Sequence, residues 1–291
     1  MEGCVRRFST IISLLIAGMF SIPAVAAPRV ASLDYCADQY ILTFADRKQI
    51  AGLSVDAESE RSNLRMAARG LPQIPDRLEA VLAVRPDVVV RAWGGGLGLK
   101  QALARFGVAV VDLGYADGLA AVRANMRQVA AAVGHQERAE TLIADMETRL
   151  AALASRTASL PVERRPSAIY MTPGGATSGP DTLVHEIMTA AGVRNHAAAG
   201  SALGWTAIDL ETLVVDPPDA VVASFFDLRF LKTDMWRLGR HRAVQDFLSS
   251  RPVVYVPARK FACATWYVVD AAEQIFRELV APRMLAAEGN G

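Results

Sequence analysis

The chain has 291 residues, with 31 Lys and Arg against 30 Asp and Glu and a formal net charge of +1. So even a balance argues against a nucleic-acid binder, which carries a clear basic excess. The length leaves room for two modest domains at ~100–200 residues each.

The N-terminus reads as an export signal. Arg6 and Arg7 form a positive start, and the apolar run Ile11 to Phe20 is shorter than the ~20 residues that span a bilayer. Pro23 breaks the run, and Ala24-Val25-Ala26 is a small-x-small cleavage site. The expectation is a signal peptide over 1–26 and a mature chain released into the periplasm. Cys4 precedes the apolar run, so it is not a lipoprotein cysteine.

The mature part alternates short apolar runs with helical patterns. Val30–Leu33, Ile50–Leu53, Val88–Val90 and Val108–Val111 read as strands buried on both faces. Helices are expected over Asp76–Val84 and Leu97–Phe106. From Leu119 to about Arg156 strand signals stop. Gly134 divides that stretch into two helices, the second running from about Gln136 to Ser155 and ending before Pro161 and Pro166. The strand pattern then resumes at Ala168–Met171, Ala220–Ala223 and Val253–Val256, with helices over Thr182–Ala191, Leu210–Val215 and Val268–Leu279. The fold class is α/β: two Rossmann-like lobes joined by one long helix, with a cleft between them. The expected boundaries are 27–133 for the first lobe, 134–160 for the joining helix and 161–291 for the second lobe.

An internal repeat supports two similar lobes. Leu78-Glu79 through Pro86-Asp87-Val88 matches Leu210-Glu211 through Pro218-Asp219-Ala220, and an aromatic, Trp93 or Phe225, follows each aspartate by six positions. Ligands of open α/β sheets bind at the carboxyl ends of the strands. That rule places Trp93-Gly94-Gly95-Gly96 and Phe225-Phe226 on facing rims. The cleft is expected among residues 33–36, 93–96, 172–178, 204–206, 225–229 and 264–267. Enzyme signatures fail. His185-Glu186 lacks the second histidine of a zinc-protease helix, no G-x-S-x-G elbow occurs, and Leu99 stands where a dinucleotide loop needs glycine.

Arg29-Val30-Ala31-Ser32-Leu33-Asp34-Tyr35-Cys36, Ala51-Gly52-Leu53-Ser54, Leu78-Glu79 to Val89, Ala92-Trp93-Gly94-Gly95 and Gly204-Trp205 to Glu211 together carry a resemblance. The chain resembles the periplasmic binding proteins for vitamin B12 and ferric siderophores. This resemblance implies a clamshell with limited hinge motion, acting as the capture component of an ABC importer. It implies a corrinoid or ferric siderophore as ligand, no catalysis, no resident cofactor and a monomer that meets a permease and its ATPase. Glu79 and Glu211, one per lobe, are by motif position the permease-docking residues. Their alternative reading is helix capping: Asp76 to Glu79 has the form of a capping box, and Glu211 follows a candidate cap at Asp209.

The candidate ligand contacts are Asp34, Tyr35, Cys36, Trp93, Gly94, Trp205, Phe225, Arg229, Trp266 and Tyr267. The tryptophans suit either core or cleft, and the glycines beside Trp93 favour the cleft. Arg65 and Arg229 are possible partners for an anionic ligand. A heme-binding transporter stays open, with Tyr35, Tyr170 or Tyr267 as an axial ligand, as does a periplasmic enzyme or sensor on the same scaffold. Cys36 and Cys263 remain after signal removal. An even count in an oxidising compartment suggests a disulfide. A large ligand between the lobes would hold the two beyond the ~7 Å Cα limit, so the reading leans towards separate thiols or a labile bond.

Overall fold

The computed structural model describes residues 27–92, 96, 98–200, 203–226 and 242–288; the expected signal peptide, Trp93, Gly94 and Arg229 lie outside them. Lobe one is a parallel sheet of β1 (Val30–Ser32), β2 (Ile50–Ser54), β3 (Gln73–Ile74), β4 (Val88–Arg91) and β5 (Ala109–Asp112), in the order β3-β2-β1-β4-β5. Its strands alternate with α1 (Tyr35–Phe44), α2 (Arg65–Ala68), α3 (Leu78–Ala83) and α4 (Leu99–Arg105). The strands β1, β2 and β4 are buried throughout, as their unbroken apolar runs require.

The helices α5 (Leu119–Val133) and α6 (Gln136–Thr157) follow. They part at Gly134, whose φ of +81° is a left-handed helix end that a side chain would resist. The 22 residues of α6 span about 33 Å.

Lobe two has a parallel sheet ordered β11-β10-β6-β8, made of β6 (Ser167–Met171), β8 (Arg194–Asn195), β10 (Ala220–Ser224) and β11 (Val253–Val256). An antiparallel pair, β7 (Ala176–Ser178) and β9 (Trp205–Ala207), lies beside it. Its helices are α7 (Leu183–Ala190), α8 (Leu210–Val215), α9 (Arg242–Ser249), α10 (Ala258–Phe261), α11 (Val268–Ile275) and α12 (Ala281–Glu288). A π-helical turn at Phe276–Val280 interrupts the long final helix of the sequence reading. The short strands β3, β7, β8 and β9 carry too few residues to show a period in sequence.

The internal repeat is structural. Asp87 accepts the backbone N–H of Arg29 at 2.7 Å, and Asp219 accepts that of Ser167 at 2.8 Å. In each lobe the aspartate of the repeat therefore ties the start of one strand to the start of the strand that pairs with it, β4 to β1 and β10 to β6. The capping box at Asp76 is not formed. Arg77 is the N-cap residue of α3 and makes no side-chain cap, while the Asp76 carboxylate faces the N–H of Gly96 at 3.4 Å. At the second repeat Asp209 does cap, accepting the Glu211 N–H at 3.0 Å.

Besides a separate cluster within each lobe, the two lobes share one hydrophobic core. A single cluster runs from Val30, Tyr40 and Phe44 in lobe one, through Met126 and Ile143 of α5 and α6, to Ala168, Val222, Trp266 and Ile275 in lobe two. Arg138 of α6 donates to Asp46 at 2.6 Å and to the Phe44 carbonyl at 2.9 Å. Farther along the same helix, Arg149 grips Glu273 at 2.7 and 2.8 Å and also reaches Asp270. The long helix is thus pinned to lobe one near its start and to lobe two near its middle.

Trp266 occupies the seam. Its ring meets Tyr40 edge-on at 5.4 Å and Phe44 at 5.7 Å, and it is only 7% exposed. The expected cleft position of Trp266 is therefore corrected to core: lobe-one aromatics cover it before a ligand could. Trp266→Ala should lower the unfolding free energy by ~3–5 kcal/mol, the usual range for emptying a buried Trp site. Urea denaturation measures this; a variant as stable as the parent would place the ring outside the core.

Candidate ligand site

The site begins where α1 begins. Asp34 stands between β1 and α1 and accepts N–H bonds from Cys36 at 3.0 Å, Ala37 at 2.9 Å and Ala92 at 2.7 Å. These bonds cap the helix and join it to the end of β4, so the carboxylate is occupied by backbone. One turn on, Asp38 is fully buried. It accepts the Ser54 N–H at 2.9 Å, the Ser54 hydroxyl at 2.5 Å and the Ser32 hydroxyl. Burial, opposed by these bonds, pushes its carboxyl up to about 6.

In front of this buttress the ends of β1, β2 and β3 enclose a cavity of about 340 Å³, lined by Asp34, Tyr35, Ser54, Asp56, Arg61 and Ile74 among others. The Arg61 guanidinium lies 4.6 Å from the Tyr35 ring centre and 2.9 Å from Asp56. The cation is stacked on an aromatic face and paired at the cavity edge. Burial raises the Tyr35 phenol, and the Arg61 charge acts against that rise.

A second aromatic group bridges the lobes. Trp205 donates through Nε1 to the Tyr115 hydroxyl at 3.0 Å, with the two rings 43% and 53% exposed. Trp205 also stands edge-on to Tyr170 at 5.7 Å, and Tyr170 in turn meets Phe261 at 5.7 Å. Tyr170 is fully buried, and burial pushes its phenol strongly up, which opposes the phenolate an axial iron ligand would need. Phe225, at the end of β10, is held at φ +68° and packs half-buried against the shared core. A bulky residue in that region is uncommon and marks a local constraint.

The expected site residues therefore divide. Asp34, Tyr35 and Cys36 meet at the lobe-one cavity, and Trp205 stands at the bridge between lobes. Phe225 and Tyr267 are half-buried beside the core, and Trp266 is inside it. Glu79 and Glu211 are exposed in the first turns of α3 and α8. Sequence reasoning passed over Arg61 and Tyr115. Tyr115 follows β5 as Trp93 follows β4, so the strand-end rule applied to β5 finds it; Arg61 has no local signal, because its stacking partner is 26 residues away.

The cysteines correct a further expectation. Cys36 and Cys263 form a disulfide with Cα atoms 5.1 Å apart. The premise of a ligand between them fails, because the lobes touch at this level. A slit of about 10 Å³ lies there, between Tyr40, Leu113 and Tyr115 of lobe one and Cys263 and Ala264 of lobe two. A wider hollow of about 430 Å³ lies between Thr177, His196, Ile208, Leu213 and Asp216. All of its described lining residues belong to lobe two, which places it beside α8. Among the described residues no group of three or more His, Cys, Asp or Glu is arranged to hold a metal ion.

A family model described as periplasmic binding protein matches residues 30–258. No curated protein sequence matches significantly. Among solved structures, the chain is similar to the apo form of the periplasmic heme-binding protein RhuT from Roseiflexus sp. RS-1, with 19% identity, 87% of this chain and 99% of that one covered, and a TM-score of 0.66. A periplasmic heme-binding protein from Pseudomonas aeruginosa shares 21% identity over 87% of this chain and 93% of its own, with a TM-score of 0.63. The periplasmic vitamin B12-binding protein BtuF of Vibrio cholerae shares 17% identity over 87% and 96%, with a TM-score of 0.60. At these identities the likeness is one of fold.

Two outcomes follow from the buried groups behind the site. The folded-state pKa of Asp38, about 6, exceeds its ordinary 3.8. Its contribution to stability is thus complete below pH ~4 and is lost as pH rises through 6, by up to ~3 kcal/mol. Asp38→Asn should lack this fall, so the stability difference between variant and parent in urea titrations should shift in the variant's favour by up to ~3 kcal/mol between pH ~4 and pH ~7; a difference that stays the same at both pH values would refute the shift. Alkylation of the unreduced protein should leave Cys36 and Cys263 unlabelled. Cys36→Ser with Cys263→Ser should then destabilise, since the bond closes a separation of 227 residues, a constraint on the order of 5 kcal/mol at most in the chain-entropy account.

Proposed function

The chain belongs to the periplasmic binding protein family, which binds solutes without transforming them, and from that premise we propose that it captures a corrinoid or a ferric siderophore and delivers it to an ABC permease and its ATPase. The reading has the chain exported by removal of 1–26 and working in the periplasm as a monomer. The observation that carries it is the pairing of Trp205 with Tyr115 across the lobes, together with the Arg61–Tyr35 stack on the lobe-one wall. Aromatic faces with a few placed polar groups suit a large, rigid, partly apolar ligand, and a stacked guanidinium suits carboxylate or phosphate oxygens on its edge. Trp93, Gly94 and Arg229 belong to the same proposal by sequence position.

Heme is the second reading. It rests on the placement of Tyr35, a phenol on the cavity wall beside the Arg61 guanidinium, whose charge opposes but does not overcome the rise that burial imposes. Delivery rests on Glu79 and Glu211, exposed at matching positions of the repeat and offered to cations of the permease.

Titration with cyanocobalamin, a ferric hydroxamate and heme separates the ligand readings. The true ligand should quench tryptophan fluorescence with one-to-one saturation below ~10 μM, equivalent to ~7 kcal/mol. Trp205→Ala should weaken that binding about tenfold, or ~1.4 kcal/mol. If none of the three binds in this range, the proposed ligand class is wrong.

A further inference from the structure

The two copies of the repeat offer a comparison within one molecule. Glu79, Val81, Leu82 and Ala83 of α3 correspond to Glu211, Leu213, Val214 and Val215 of α8. The inward position is alike in both, since Val81 and Leu213 are buried. The outward positions differ. On α3, Leu82 is half-buried against the lobe-one core, and only the small Ala83 is open. On α8, Val214 is 78% and Val215 84% exposed, three and four residues after Glu211. Residues at that spacing share a helix face, so both valines flank the glutamate.

Neither helix propensity nor burial accounts for this pair. β-Branched residues are mediocre helix formers, and two adjacent valines in water stabilise nothing within the lobe. The charges around them also differ between lobes. Lobe one interleaves exposed Arg77 and Arg85 with Asp76 and Glu79, whereas residues 203–216 of lobe two carry exposed Asp209, Glu211 and Asp216 and no Lys or Arg; Asp219, just beyond, is paired with Arg283 at 3.5 Å. The α8 face is an apolar centre with an acidic rim. Interfaces have this anatomy, a desolvated apolar core inside a polar border.

We propose that Val214 and Val215 are the apolar anchor by which lobe two seats on the permease, in a depression of its periplasmic face bordered by Arg or Lys, while lobe one makes a charge contact alone. This rests on the docking role of Glu79 and Glu211 and adds a direction to it. Two equivalent glutamates would let the two-lobed protein land in either of two orientations related by its pseudo-symmetry. An apolar contact present on one lobe only distinguishes them, and it persists where salt screens the charges.

The test uses the purified, ligand-free protein and right-side-out inner-membrane vesicles of the source bacterium, with binding measured by co-sedimentation. Measurements at ~0.01 M and ~1 M salt move the screening length from ~30 Å to ~3 Å. Val214→Ser with Val215→Ser should lower vesicle affinity about tenfold at both salts and leave the melting temperature within the parent's range. Ala83→Ser, the lobe-one counterpart of the second valine, should bind as the parent does. Glu211→Ala should bind more weakly mainly at low salt. If the valine variant binds like the parent while Glu211→Ala is weakened, the anchor is refuted and the docking role of the glutamates stands. If Glu79→Ala and Glu211→Ala also bind like the parent, the docking reading itself falls and the anchor with it. If the parent alone sediments as a dimer that the valine variant loses, the patch belongs to a second copy of the chain, and the proposal is overturned.

Discussion

The seam between α1 of lobe one and the turn joining α10 to α11 of lobe two is the contact on which the rest of the molecule depends. There Cys36 is bonded to Cys263, Trp266 enters between Tyr40 and Phe44, and the Tyr40 hydroxyl reaches the Ala264 carbonyl at 3.4 Å. Asn63 of lobe one adds a bond to the Arg259 carbonyl at 2.8 Å. Opening the lobes at this point would expose aromatic surface and break a covalent bond. The two halves therefore form one packed unit, and α6 braces a joint that the core has already closed. A cleft held this way spends little of its binding free energy on ordering itself.

That rigidity shapes what the cleft can do. With the lobes in contact at the disulfide, the proposed ligand would meet surfaces already in place: the Tyr35 and Arg61 wall, and the Trp205 and Tyr115 bridge. The first is built outward from buried polar anchors. Asp34 and Asp38 hold the start of α1 against β4 and β2, and the position of Tyr35 follows from theirs. Asp34 was a candidate for ligand contact, but backbone N–H donors occupy its carboxylate.

The repeat shows which features an αβ unit must keep and which it is free to change. Both lobes keep the aspartate that ties paired strands together and the buried residue facing the sheet, because each performs the same packing task. Their outer faces have diverged. One exposes a glutamate among mixed charges, the other a glutamate beside two bare valines in an acidic border.

The sequence by itself determined the α/β class, the two lobes and the seven principal strands, because buried parallel strands and their Pro-Asp entries are local signals. The break at Gly134 and the length of α6 were equally legible, since a left-handed helix end requires a glycine whatever surrounds it. Tertiary structure alone decided the rest. The strands β3 and β8 exist because longer neighbours, β2 and β6, offer them hydrogen bonds, and β7 and β9 because segments about 30 residues apart meet and pair with each other. Whether Trp266 or Trp205 faces a ligand depends on which lobe-one residues arrive opposite, and Tyr40, Phe44 and Tyr115 lie 90 to more than 200 residues away along the chain. The disulfide and the Arg61–Tyr35 stack are likewise meetings of distant segments. Composition and spacing constrain what a residue can do next to its neighbours in sequence, whereas a cleft is defined by groups that only the packed core brings face to face.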